Sequence, residues 1–535
     1  MLTTGTFRVG FFWEVFSACL FGGSSIVKYV NFYLFFPYFC IDSMMVNNCQ
    51  NLPTTVGGRK CQPPPMLKSK LPFGIDSMLM LMKSLREFRF PVALMELHDQ
   101  MGDTYGCMLF GMRSIRTRDP RNIKAILATQ FEGKRQLSLN FLWGAANCFS
   151  DYGLAQERKA YHSLLGNTGI FVVDGVSWSH SRALLRPSFD RTNVADLSQL
   201  EGFMQNFFSR INESPQQPFT QARAVELQEL FQCLTMDSST NFLFGEPIGA
   251  LTPKKYTLEN DEMTFDQAFD IAQHGLAMRA PLSSFYWLHN GREFRKACST
   301  ARSQAGVYVS NTLKKLGFAE KKAEQEGLGK KYVFLEELAE RTQDPQVLQD
   351  QVLNIMLAGR DTTAALLSWT FLCLAKHPEV FKKLRAEISA VVGVGENARL
   401  PTQAELRNIL YLRWIIQEGK FLKLCFEILV LISGIVLRLY PPVAINARRA
   451  LHATTLPYGG GSDGNSPISI RKGERVVYST FSLHRRTEVY GPDAQEFRPE
   501  RWGEEALRKV GWSWLPFNGG PRICIGRMFI NLPPF

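Results

Sequence analysis

The chain has 535 residues, 45% apolar and 21% charged, with a net charge of +12 from 61 Lys and Arg against 49 Asp and Glu. That length permits a large core, in one big domain or several smaller ones. The basic excess is spread along the chain, with no basic stripe carrying interleaved aromatics, so nucleic acid is excluded as a partner; an anionic membrane surface or an acidic protein suits it.

The N-terminus is apolar over residues 11–39, but Glu14 and Lys28 interrupt it, so no clean span of ~20 residues exists. Residues 1–40 read as an imperfect membrane anchor; a wrongly assigned gene start is the alternative. Residues 41–70 form a linker, and its KCQPPP stretch makes a stiff spacer. The body, 71–535, alternates long helical stretches with short strands. Residues 101–120 predict two strands around a turn at Gly111, then a helix with Ile123, Ile126 and Leu127 at helical spacing. From Asn193 to about Ala375 the chain reads as almost all helix, and strands return near 440–447 and 468–478. The class is mainly α with a minor β part. The eleven cysteines are scattered, and no CxxC occurs, which argues against a disulfide framework or structural zinc and for a reducing compartment.

Three stretches carry chemistry. In WLPFNGGPRICIGR, residues 514–527, Cys524 follows a glycine pair and an arginine. A thiolate metal ligand needs backbone N–H groups aimed at sulfur, which a tight glycine-bearing loop provides. Arg522 can meet an anionic group on a cofactor, and Gly526 would let a large flat ligand approach the backbone. Alone, Cys524 also reads as an inert core cysteine. LNIMLAGRDTTAALLSWTFLCLAKHP, residues 353–378, is apolar nearly all round, as a helix through the middle of a protein would be. Its centre is not: Gly359, Asp361, Thr362 and Thr363 are poor helix-interior residues. Small Ala358 and Gly359 leave room for a ligand, and a threonine can bond its own preceding turn. A polar helix–helix contact is the plainer reading of the threonine pair alone. In VSWSHSRALLRPSF, Trp178 and Arg182 stand four apart, on one helix face.

Residues 517–526 match F-x-x-G-x-R-x-C-x-G, and with it the chain resembles the cytochrome P-450 monooxygenases. The resemblance implies that fold, haem b with Cys524 as axial thiolate to iron, and cofactor contacts from Phe517, Arg522 and Gly526. It assigns Thr362 to bound dioxygen and Asp361 to proton delivery, Trp178 and Arg182 to the haem propionates, and Pro442, Val443, Ala444 and Ala358 to the substrate pocket. EFRPERW, residues 496–502, resembles the family's meander signature. Its Arg501 is expected to join a Glu and an Arg from an E-x-x-R helix in a buried triad. RKCQPPP, LPFGID, DPRNIKAILATQF, LLGNTGIF, DGVSWSHSRALLRPSF and FLFGE look like the fungal n-alkane and fatty-acid hydroxylases. That branch hydroxylates the terminal carbon of long chains at the endoplasmic reticulum, with the catalytic domain facing the cytosol. Its electrons come from NADPH through a reductase, a partner that a basic proximal surface would suit. Another lipophilic substrate is the alternative.

The E-x-x-R itself is interrupted. Glu418 and Arg438 are twenty apart, separated by a greasy run from Phe421 to Ile435. Removing residues 419–435 places Glu418 and Arg438 at i,i+3 and restores the pattern through Pro441 and Pro442. Removing residues 133–150 likewise joins ATQFE to DYGLAQER. Both inserts begin Gly-Lys, which GGT AAG can encode, and GTAAG opens many introns. At seventeen and eighteen codons they are in frame and the length of short fungal introns. This argument comes from the genetic code, not from physics. A lineage-specific loop and a second membrane segment are the rivals for the greasy run. Lys423 and Glu427 inside it disfavour the second. The family continues beyond Gly526 with a long helix, whereas this chain ends in RMFINLPPF, so truncation after 527 is expected. A decayed or mis-spliced product that binds no haem is thus a further reading.

Overall fold

The computed structural model describes residues 52–131, 150–154, 158–189, 198–213, 225–252, 263–319, 332–392, 433–504, 507 and 510–527. The expected anchor, Glu418, nearly all of both inserts and the tail after Arg527 lie outside them. Among the described residues no helix is long and apolar enough to cross a membrane.

The expected spacer lies against the body. Strands β1, Thr55–Val56, and β2, Arg59–Lys60, pair with each other. Beyond them Gln62 N–H donates to Pro467 O at 2.8 Å, and Leu67 N–H donates to Gly106 O at 2.8 Å. Helices α1, Ile75–Arg86, and α2, Phe90–Met101, follow. Strands β3, Thr104–Leu109, and β4, Met112–Thr117, pair in antiparallel register around the expected turn, where Gly111 has φ 76°. A positive φ is what a tight hairpin asks of glycine. Asp119 then caps α3, Pro120–Lys124, by accepting from Arg121 N–H at 2.8 Å. The expected helix does not run on regularly: residues 125–129 form a π turn, with Ile123, Ile126 and Leu127 buried.

Short β5, Tyr152–Gly153, precedes a largely helical stretch. It holds α4, Gly175–Leu185; α5, Ser198–Glu213; α6, Leu227–Phe244; α7, Phe265–Arg279; α8, Arg292–Ala319; and α9, Phe334–Ala339. The 32-residue α10, Pro345–Lys376, crosses the core. Asp344 accepts from its first free amides, and Pro345 needs no donor there. It packs most heavily on α6 and also on α8. Helices α11, Pro378–Val392, and α12, Ser433–Leu439, follow. Strand β6, Ile445–Ala450, begins later than the sequence suggested, and the region to 479 holds three more strands. These are β7, Thr454–Gly460; β8, Ser466–Ile470; and β9, Arg475–Ser479. The main sheet has the order β3-β4-β9-β6-β5, so residues over three hundred apart in sequence are direct neighbours. Helix dominates, as expected.

Candidate active site

The cysteine loop is closed by its own backbone. Cys524 N–H donates to Phe517 O at 3.0 Å, and Ile523 N–H donates to Gly520 O at 3.0 Å. Gly520 has φ 68°, and a Cβ there would stand 2.0 Å from Leu127 O, so the loop needs glycine at that point on two counts. Backbone N–H groups of Gly526 and Arg527 hydrogen-bond Cys524, and the guanidiniums of Arg182 and Arg527 lie near it. Those contacts favour thiolate; burial opposes them and raises the thiol's pKa overall. Yet Cys524 is solvent-exposed by area. The two facts agree if the sulfur faces a space enclosed by protein rather than open water. Coordination to a metal removes the thiol proton outright. Among the described residues no cluster of three His, Cys, Asp or Glu could hold a metal ion.

The charge around the loop is one-sided. Arg522 donates to Asp174 Oδ1 at 2.6 Å and to Val173 O at 3.0 Å. Burial holds Arg522 down to about 10, and the cations Arg448, Arg158 and Arg182 act in the same direction. Buried Arg448 is lowered by burial and by Arg158. Arg182 has its guanidinium 5.7 Å from the Trp178 ring, and Arg522 stands 4.6 Å from the same ring. Arg522 thus feels three other guanidiniums, Arg448 feels Arg158, and Asp174 acts on both Arg522 and Arg448. Such a cluster is costly unless anions enter it, and the two propionates of a haem have the charge to do so. Trp178, Arg182 and Arg522, expected as cofactor contacts, come together here. Arg158 and Arg448 were missed: they stand far from the motifs in sequence, 24 residues before Arg182 and 74 before Arg522.

The middle of α10 differs from its ends. Residues 348 and 350–356 are buried, whereas Leu357, Ala358, Gly359, Asp361, Thr362 and Thr363 retain accessible surface. Thr362 Oγ1 donates to Ala358 O at 2.6 Å, bonding its own preceding turn. Burial lifts the Asp361 carboxyl to about 6, partly offset by Arg360. Arg360, itself buried, pairs with Asp361 at 3.4 Å and with Asp270 of α7 at 2.5 Å. Pro442 and Ala444 are half-buried and Val443 is 49% exposed, in the segment between α12 and β6.

Two turns before Ala358, the same helix grips residues 165–171 with polar side chains. Asp350, 0% exposed, accepts from Asn167 N–H, Thr168 N–H and Thr168 Oγ1 and pairs with Arg302 at 2.9 Å. Gln351 accepts from Ile170 N–H and donates to Ser181 Oγ on α4; Asn354 accepts from Phe171 N–H. A Cβ at Gly166 or Gly169 would collide with Asp350 or Asn354. This knot ties the strap leading to Asp174 and α4 onto α10. Its only trace in the sequence is the pair of glycines in LLGNTGIF.

Arg501 and Arg438 are both buried. Arg501 donates to Asp493 Oδ1 at 2.7 Å and to the main chain of Tyr490 and Asp493. Arg438 bonds the carbonyls of His484, Ala494 and Glu496. Three residues before Arg438, on α12, stands Ile435, not a carboxylate.

A thiol in an amide-lined glycine loop, a cationic nest beside it and a core helix opened at an acid–threonine pair have the chemistry that a haem-binding protein needs. The sequence profile of the cytochrome P450 family matches residues 77–531, and the chain belongs to that family. Cytochrome P450 52A13 of Debaryomyces hansenii is 40% identical over 468 residues, covering 85% of this chain and 80% of that protein. Cytochrome P450 52A5 of Candida maltosa is 42% identical, covering 80% of this chain and 73% of that protein. A cytochrome P450 monooxygenase of Fusarium is 40% identical, covering 88% and 76%. The protein is a cytochrome P450 monooxygenase, an oxidoreductase.

Proposed function

We propose that this monooxygenase hydroxylates the terminal carbon of long-chain fatty acids or n-alkanes, at the endoplasmic reticulum membrane, with electrons from NADPH passed on by a reductase. The substrate class rests on the motif resemblance to fungal alkane and fatty-acid hydroxylases and on relatives of the 52A group at about 40% identity. Bound haem b would supply iron that activates dioxygen, and Cys524 would hold that iron through its thiolate.

The chain's own residues divide the remaining work. Cys524 ligates the iron, with the Gly526 and Arg527 amides holding negative charge on sulfur. Arg182 and Arg522, with Arg158 and Arg448, receive the propionates, and Trp178 flanks them. Burial raises the proton affinity of Asp361, so that it takes up and gives back a proton around pH 6, and Thr362 relays that proton onward. Ala358, Pro442, Val443 and Ala444 border the substrate.

The observation that carries the reading is the amide-lined cysteine loop beside Arg522, which feels the cations Arg448, Arg158 and Arg182. Cys524→Ala should abolish the thiolate-type absorption of the reduced carbonyl complex; a variant keeping that spectrum refutes the assignment.

A second reading concerns the chain as translated. Residues 133–150 and 419–435 are proposed to be retained introns, so that the 535-residue form loads haem poorly. It is supported by Nε atoms of Arg438 and Arg501 that have no partner among the described residues, and by Ile435 in the position where a carboxylate is needed. Coding DNA without splice signals at both junctions counts against it.

A further inference from the structure

His484 is 0% exposed and stands between the guanidinium pair and the cysteine loop. Its Nε2 lies 2.8 Å from Leu515 N, and its Nδ1 lies 3.2 Å from Arg438 O. A backbone N–H can only donate, so Nε2 is the acceptor and carries no proton. Nδ1 then carries it and donates to the Arg438 carbonyl. Arg438 Nη1 returns a bond to His484 O at 3.0 Å. Burial first, and then the Arg438 cation, hold the ring neutral, with its pKa down to about 3.

Leu515 sits two residues before Phe517, whose carbonyl closes the loop on Cys524 N–H. Two neighbouring hydroxyls brace the same run: Tyr490 donates to Ser513 O at 2.9 Å, and Tyr478 donates to Asn518 Oδ1 at 3.0 Å. Tyr490 O in turn accepts from Arg501, and its ring lies 5.0 Å from the Arg438 guanidinium.

We infer that His484, fixed in its Nδ1–H form, is a positioning residue for the cysteine loop, tying the main chain of Leu515 to that of Arg438. It thereby passes the state of the buried guanidinium pair to the residue that presents Cys524. The inference takes its functional meaning from the assignment of Cys524 as ligand. The tie itself is independent of that assignment.

The two nitrogens can be tested separately, because a Gln amide oxygen reaches the place of Nε2, whereas an Asn amide reaches that of Nδ1. Hydrogen exchange by mass spectrometry on the full chain, without added haem, reads the peptide covering residues 511–518. His484→Gln keeps the acceptor for Leu515 N–H, so exchange should stay within about twofold of wild type. His484→Asn and His484→Ala lose it, so exchange there should rise roughly tenfold, as expected for one lost hydrogen bond. Peptides from α8 should stay protected in all variants. Equal exchange in Gln and Asn, or loss of α8 protection in all three, overturns the inference and makes His484 a packing residue. In haem-loaded protein the Asn variant, but not Gln, should lose part of the thiolate-type carbonyl band. An unchanged band with the expected exchange pattern would overturn the positioning role while leaving the tie standing; the Cys524→Ala spectrum tests the ligand assignment separately.

Discussion

Arg438 and Arg501 are neighbouring buried guanidiniums, and each leaves its Nε without a hydrogen-bond partner among the described residues. Burial and the Arg501 cation pull Arg438 down to about 9. Two cations side by side with two idle donors mark the place of a bridging carboxylate. Glu418 would stand three residues before Arg438 if residues 419–435 were absent. Deleting them should raise the urea midpoint and the haem content. In the deleted form Arg438→Met should cost ~3–5 kcal/mol, because it strands the new carboxylate. In the 535-residue form the same change should cost clearly less. Equal losses in both backgrounds would show that no carboxylate pairs with Arg438.

The Asp350 knot makes a sharp stability forecast. Asp350→Ala leaves Arg302 without its buried partner and strips acceptors from Asn167 and Thr168. A loss of ~3–5 kcal/mol is expected by chemical denaturation. Asp350→Asn keeps one acceptor oxygen and should lose less. If the two variants melt alike, the ion pair contributes little beyond its hydrogen bonds.

Thr362→Ala should uncouple the haem-loaded enzyme, so that NADPH and oxygen are consumed without matching product. Thr362→Ser keeps the hydroxyl that bonds Ala358 O and should restore most of the coupling. Stoichiometry of NADPH against product decides it; full coupling in the alanine variant removes Thr362 from the relay.

Asp361 sets a pH dependence whose sign follows from burial. Its folded-state pKa of about 6 lies above that of an unfolded Asp, ~3.9. The folded chain therefore holds the proton more tightly, and stability falls as pH rises from about 4 to about 6, then levels off. Asp361→Asn abolishes that slope. Relative to wild type, the variant should gain ~2–3 kcal/mol between pH 4 and pH 8, read from urea midpoints at each pH. No relative gain would mean that Asp361 ionises as freely in the fold as outside it.

What the sequence determined by itself was local. The F-x-x-G-x-R-x-C-x-G run, the Trp178–Arg182 spacing and the AGRDTT break in an apolar helix lie within a few covalent bonds of their own neighbours. Loop closure at Phe517, the ring contact on α4 and the Thr362 bond to Ala358 follow from helix and turn geometry alone. The hairpin around Gly111 was legible for the same reason. Tertiary structure decided which distant groups share a site. Arg158 and Arg448 reach the cationic nest from separate elements, Asp350 reaches residues 167 and 168 across 183 and 182 positions, and His484 reaches Leu515 across 31. A buried ion or imidazole is satisfied only by whatever the fold brings alongside it, and no spacing in the chain encodes that neighbour.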